Sequence, residues 1–408
     1  MAAITPKETV NLVAALRTLA LLSLLITIVG CSSNTIKSTE HVRIKQITTE
    51  IAEHQLLDVG IHLFDPNLDQ EVEDDERLIF PEVRKAEAHF IPYQLMGALQ
   101  KSAAWGAVRI IPQGQNSVDV TVNGTILQSD GERMKLRIKV NDASGREWFE
   151  REYTAMASKY AYTERRQANA ADPFQSIYHQ IANDMLAYRE GLAADDLTRI
   201  RTIAELRFAQ SFSGDAFARH LSQNRKGVYQ VQRLPAEGDP MLTRIRAIRE
   251  RDYLFVDTLQ DYYGGFVKDI TPAYTEWRKN SYDEVIAYRE LKTSARNRTI
   301  AGVASVIGGI LAANSSQGAS RAAGSVAIAG GAYMIKSGFD KRAESKMHLE
   351  ALAELGDSLE ADVEPQNIEL EDRTVTLSGT VQDQYNQWRA LLQEIYRIDT
   401  GGIPPATK

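Results

Sequence analysis

The chain has 408 residues, a formal net charge of -7 and a pI near 5.7. That length exceeds one compact core and predicts two or more domains, while the acidic balance argues against nucleic acid as a partner, because phosphate binding needs a basic surface. With a single Cys, neither an intrachain disulfide nor a Cys-based zinc site can form, so stability has to come from packing.

The N-terminus differs from the rest. Lys7 and Arg17 precede an apolar run from Leu19 to Gly30, interrupted by Ser23 and Thr27. About a dozen residues are too few to cross a ~30 Å hydrocarbon layer as a helix, and they suit the apolar region of a secretory signal. The run closes on Ile28-Val29-Gly30-Cys31, which resembles the lipobox of bacterial lipoproteins. The resemblance implies a diacylglycerol on the Cys31 thiol, signal cleavage between Gly30 and Cys31, and acylation of the new amine with a fatty acid such as palmitate. Several acyl chains anchor strongly, at about 0.8 kcal/mol per buried CH₂. Ser32 in place of Asp after the Cys implies, within that family, sorting to the outer membrane. The expected division is therefore a signal peptide, 1–30, and a lipidated tether, 31–45, whose polar Ser/Thr-rich composition suits a linker.

The first strand is expected over Leu56–Phe64, ended by Asp65-Pro66-Asn67. The acidic run Asp69–Arg77 lacks the Gly-spaced 12-residue pattern of a calcium loop and reads as a solvated loop. A helix follows from about Val83 to Ala104, with Phe90, Tyr93, Leu95, Met96 and Leu99 at helical spacing; Pro92 inside it should kink or restart it. A short strand is expected at Ala107–Ile111. Alternation in Val118-Val120-Val122 and in Met134-Leu136-Ile138-Val140 begins a three-stranded stretch. Turns at Ser129-Asp130-Gly131-Glu132 and Asn141–Gly145 separate its strands. Asp172-Pro173 opens a helix that places Phe174, Ile177, Ile181 and Met185 on one face. Residues 46–190 thus read β-α-β-β-β-α, a small α/β sandwich with helices on one sheet face and a more polar second face.

Residues 191–298 read as almost entirely helical, with apolar residues at threes and fours suited to a helical bundle. Residues 299–335 change character, with Arg321 as the only charge. Ala301, Ser305, Gly309 and Ala313 form one stripe of small residues, and Ala319, Ala323, Ala327 and Gly331 a second. Such stripes let two helix backbones approach closely, which with the polar break Asn314–Gly318 reads as an αα-hairpin with glycine-zipper packing. Residues 336–408 read as a charged amphipathic helix and then a ββα element. Its hairpin spans Ile368–Val381, turning at Glu371-Asp372-Arg373, and its helix carries Trp388, Leu391, Leu392 and Ile395. Whether that element completes the first sheet or stands alone is open from sequence. The fold class is α+β.

Chemistry is harder to find. The seven histidines are scattered, none at metal-ligand spacing, and His62 and His89 read as structural. Motifs for phosphate cradling, serine nucleophiles or zinc hydrolysis are missing. The chain is read as no enzyme and as needing no cofactor or metal.

The order lipobox, tether and β-α-β-β-β-α resembles the periplasmic α/β domain of outer-membrane lipoproteins, such as the curli secretion-channel and penicillin-binding-protein activator lipoproteins. The likeness covers residues 46–190 and includes "HFIPYQLMGALQKSAAWGAVRIIP" ahead of a hairpin with "SDGE". Only Cys31 takes a role from these families. The resulting expectation is a non-catalytic envelope protein, anchored by lipid in the outer membrane and facing the periplasm. It would bind other envelope proteins or further copies of itself, and no nucleic acid. The alternative is a subunit of an outer-membrane pore or secretion assembly whose hairpin 299–335 inserts in the membrane. A third reading, a cell-wall hydrolase, lacks an acid/base pair to nominate.

Overall fold

The computed structural model describes residues 35–37, 41–68, 81–115, 117–162, 172–312, 366–370 and 373–401. Helices and a mixed sheet make an α+β fold. The chain order opens with β1 (Thr35–Lys37), β2 (Val59–His62), α1 (Pro81–Lys101) and β3 (Val108–Ile111). Three ten-residue strands follow, β4 (Val120–Ser129), β5 (Arg133–Asp142) and β6 (Glu147–Met156), then α2 (Gln175–Glu190) and α3 (Ala194–Phe212). After a single turn, α4 (Gly214–Phe217), come β7 (Leu221–Gln223), β8 (Tyr229–Val231) and α5 (Pro240–Ala312). The last elements are β9 (Gln366–Leu370), β10 (Arg373–Leu377) and α6 (Val381–Asp399).

The main sheet has the order β1-β6-β5-β4-β2-β3. β4, β5 and β6 form an antiparallel meander, β2 runs parallel to both β3 and β4, and β1 runs parallel to β6. Alternation decides the faces. Val120, Val122, Ile126, Met134, Leu136, Ile138 and Val140 are fully buried toward α1 and α2, where Phe174, Ile177, Ile181 and Met185 are likewise buried. The opposite face carries cross-strand ion pairs: Lys135 and Arg137 meet Glu152 at 2.7 and 2.8 Å, and Lys139 meets Glu147 at 2.9 Å. Half-exposed pairs of this kind contribute little each, so the buried face supplies the stability.

Three expectations change. α1 is unbroken through Pro92. The proline cannot bond the Ala88 carbonyl four residues back, and that carbonyl instead accepts from the Phe64 N–H at 3.0 Å. The described part of the expected tether is fastened down: Thr35–Lys37 pair with Thr154–Met156, and Lys45 N–H donates to Asn183 Oδ1 at 2.8 Å. His179 Nδ1 meets the Val42 carbonyl at 2.7 Å, and Val42 and Ile44 lean on the core. Composition marked this stretch as a linker, whereas partners on β6 and α2 hold its described residues.

The third change concerns 191–298. A hairpin, β7–β8, interrupts the helical stretch, with Gly227 at φ +76° in its turn; only glycine adopts that conformation without strain. From Pro240 onward the helical pieces join into one helix, α5, of 73 residues, about 110 Å long. The first arm of the expected hairpin is therefore the end of α5. Pro272 lies inside it, with Ile270, Tyr274 and Trp277 buried on either side, so packing holds both halves in one helix. The acidic run 69–77, the break at 314–318, the second arm and the charged helix after 336 lie outside the described residues.

β9 and β10 form a two-stranded sheet of their own. α6 opens with a capping box between Thr380 and Asp383 and lays Trp388 on Phe255 of α5, centroids 5.1 Å apart and planes at 18°. Gln382 of α6 also accepts from Gln113 N–H at 2.9 Å and donates to its carbonyl at 3.1 Å. The C-terminal element thus docks on α5 and on the chain beyond β3 without adding strands to the main sheet.

Candidate functional site

Gly30, Cys31, Ala313, Ala323, Ala327 and Gly331 lie outside the described residues. Ala301, Ser305 and Gly309 fall in the last turns of α5, four residues apart on one continuous helix. Among the described residues no group of three His, Cys, Asp or Glu could hold a metal ion. His89, His179 and His220 serve backbone joints: His220 Nδ1 meets the Arg233 carbonyl at 2.7 Å and closes the base of β7–β8. His62 is depressed below its ordinary value by burial.

Buried charge gathers where α5 meets the sheet. Glu87 of α1 accepts from Ser129 and Tyr274, the Tyr274 oxygen accepts from Arg278, and Arg278 reaches Asp172 at 3.1 Å. The Arg278 guanidinium lies 3.9 Å over the Tyr274 ring and 4.8 Å over Phe174. Nearby, Arg289 bonds Asp130 at 2.8 Å, and a Cβ on Gly131 would collide with the α5 backbone at Arg278 and Tyr282. The turn between β4 and β5 is therefore pressed against α5, which explains the glycine there.

Two carboxyls have the raised pKa that a reactive acid would show. Burial pushes Asp119 up to about 6, the Asp58 charge adds to this, and Arg249 and Arg201 oppose it. Burial also pushes Asp252 up to about 6, against Arg389, Tyr385, Gln115 and Arg249. Asp119 accepts from the Asp58 N–H at 2.8 Å, has Arg201 and Arg249 at 3.9 Å, and is 1% exposed. A cleft of about 380 Å³ beside it is lined by Glu53, His54, Arg201, Glu205 and Arg249. Asp252 is 0% exposed between α5 and α6. Both carboxyls tie elements together: Asp119 joins the Asp58 backbone to Arg201 of α3 and Arg249 of α5, and Asp252 of α5 faces Tyr385 and Arg389 of α6.

The exposed chemistry is at β7–β8. Between Asp215 and Glu237 the chain has four cationic side chains, Arg219, Arg225, Lys226 and Arg233, and no Asp or Glu. All four are exposed, and none forms an ion pair among the described residues. The hairpin is held firmly. Tyr229 N–H donates to the Ser144 carbonyl at 2.8 Å, Arg207 lies 4.7 Å from the Tyr229 ring centroid, and Arg207 also donates to the Ala143 carbonyl at 2.7 Å. A helical reading of 191–298 missed this element, although Asn224-Arg225-Lys226-Gly227 before the alternating Tyr229-Gln230-Val231 carries a hairpin signal.

Comparison of the chain with family models, with curated proteins and with solved structures gave no match.

Proposed function

We propose that the protein is a non-catalytic envelope protein, lipid-anchored through Cys31 in the outer membrane and facing the periplasm, that works by binding other envelope proteins helix against helix. The observation that carries the binding part is the continuity of α5. The helix is buried against the fold from Leu242 to Val285 and continues without a break through Ala301, Ser305 and Gly309. A helix fixed at one half and carrying small residues every fourth position at the other is a stiff arm with a close-packing face. Anchoring rests on the lipobox resemblance of Ile28-Val29-Gly30-Cys31.

Packing is favoured over membrane insertion of this segment. The apolar part of α5, from Thr299 to Ala312, is 14 residues and about 21 Å long, short of the ~30 Å hydrocarbon layer. Among the described residues no helix is long and apolar enough to cross a membrane.

The test is Gly309→Leu, which places a large side chain in the stripe. Extracted in mild detergent, the wild type should run as an assembly larger than one chain, and the variant as a smaller one with unchanged helicity. Wild type of single-chain size, or an assembly unaffected by the substitution, contradicts the proposal.

A further inference from the structure

We infer that the β7–β8 hairpin binds the phosphate-bearing headgroups of an anionic lipid surface, giving the protein a second, electrostatic contact with the membrane. The inference builds on the lipid-anchored reading, but its physical basis lies elsewhere in the chain.

The first support is charge. The chain as a whole is acidic, at -7, so an anionic surface repels most of it, and a local cationic face decides which side can approach. Arg219, Arg225, Lys226 and Arg233 supply exposed cations over 15 residues (219 to 233), two at the base of the hairpin and two in its turn, with Arg146 exposed on the turn between β5 and β6 that contacts the hairpin. Two carboxylates on neighbouring elements are occupied: Asp196 pairs with Arg199 at 2.8 Å and Glu147 with Lys139 at 2.9 Å, while Asp215 and Glu237 flank the basic stretch in sequence. Leu234, 64% exposed, stands beside Arg233. A large apolar side chain next to cations suits the headgroup boundary, where both can be satisfied.

The second support is position. The hairpin is seated on the β5–β6 turn, whose Ser144 carbonyl accepts from Tyr229 of β8 at 2.8 Å, so its cations stand at one end of the main sheet.

The third support is rigidity. Burial of Leu221 and the joints made by His220, Tyr229 and Arg207 hold the hairpin in place, so its cations are presented without an ordering cost at binding.

The experiment is sedimentation of the full chain with Cys31→Ser against neutral phosphatidylcholine vesicles and vesicles containing phosphatidylglycerol. It compares the parent with Arg225→Gln/Lys226→Gln. The N-terminal apolar run is common to both proteins and to both vesicle types, so it cancels in the comparison. The parent should prefer anionic vesicles, and the preference should fall in 0.5 M salt. The double variant should partition about 30-fold less, from about fivefold per basic side chain at an anionic surface. Lys268→Gln, on the exposed side of α5, should bind as the parent does. Equal binding to neutral and anionic vesicles, which a hairpin made for an acidic protein would give, overturns the inference, as does full anionic preference in the double variant. Acylation plays no part in this assay. Absent palmitate labelling of the wild type would count against the anchor alone, and absent vesicle preference against the hairpin alone.

Discussion

Gln260 of α5 closes both backbone groups of Ile110: its Oε1 accepts from the Ile110 N–H at 2.9 Å and its Nε2 donates to the Ile110 carbonyl at 2.8 Å. Ile110 lies on β3, the edge strand of the main sheet. An open edge invites pairing with another chain, and here one side chain of a helix takes the place of a seventh strand. Arg109 and Asp257, joined at 2.6 and 2.9 Å, lie alongside, and Gln382 of α6 repeats the device on Gln113.

Gln260→Leu keeps the side-chain volume and removes both bonds. Leaving buried backbone groups without partners costs about 1–3 kcal/mol. Urea unfolding should show a lower midpoint with an unchanged slope, and concentration-dependent aggregation should rise. A midpoint within error of the parent would mean that the edge is protected by other means.

Asp252→Asn tests the buried carboxyl between α5 and α6. Burial raises Asp252 to about 6 from an ordinary value of 3.8, so between those values the folded chain keeps a proton that the unfolded chain has released. Stability from this group is fully present below the ordinary value and is lost as pH rises through about 6. The gain in Tm of the Asn variant over the parent should therefore be small at pH 4 and grow to a plateau above about pH 7. A difference that does not vary with pH contradicts the assignment.

Gly131→Ala tests the seating of α5 on the β4–β5 turn. The added Cβ meets backbone, which cannot swing aside as a side chain can. A loss of about 1–3 kcal/mol is expected, with hydrogen exchange accelerated in α5 around Arg278 and Tyr282. Normal stability would show that the turn relaxes away from the helix.

Much of the sheet was legible because alternation is a strong signal: Met134, Leu136, Ile138 and Val140 are all fully buried, as their period of two requires. The helix with Phe174, Ile177, Ile181 and Met185 was legible for the same reason at a period near 3.6. Where reading failed, a partner distant in sequence decided the outcome. Pro92 is tolerated because Phe64 uses the carbonyl it frees, and the segment at 41–45 is ordered because His179 and Asn183 are 134 or more residues away in sequence yet adjacent in space. The basic hairpin went unseen for a different reason. Its strands are three residues each, too short to show a period against helical neighbours.

Trp388→Ala removes the ring stacked on Phe255. Truncating a buried Trp costs about 3–5 kcal/mol, and the loss should fall first on the docking of α6. Limited proteolysis should cut within 378–399 under conditions where the main sheet stays intact. Cleavage elsewhere first, or none, would show that α6 is held mainly by Tyr385, Leu391 and Leu392.

The central proposal is that Cys31 carries lipid, and intact-mass spectrometry of protein extracted from the envelope tests it most directly. The expected species lacks residues 1–30, leaving 378 residues (408 minus 30), and carries the added mass of a diacylglycerol and a further acyl chain at Cys31. A chain of 408 residues, or a processed chain with an unmodified Cys31, would contradict the account.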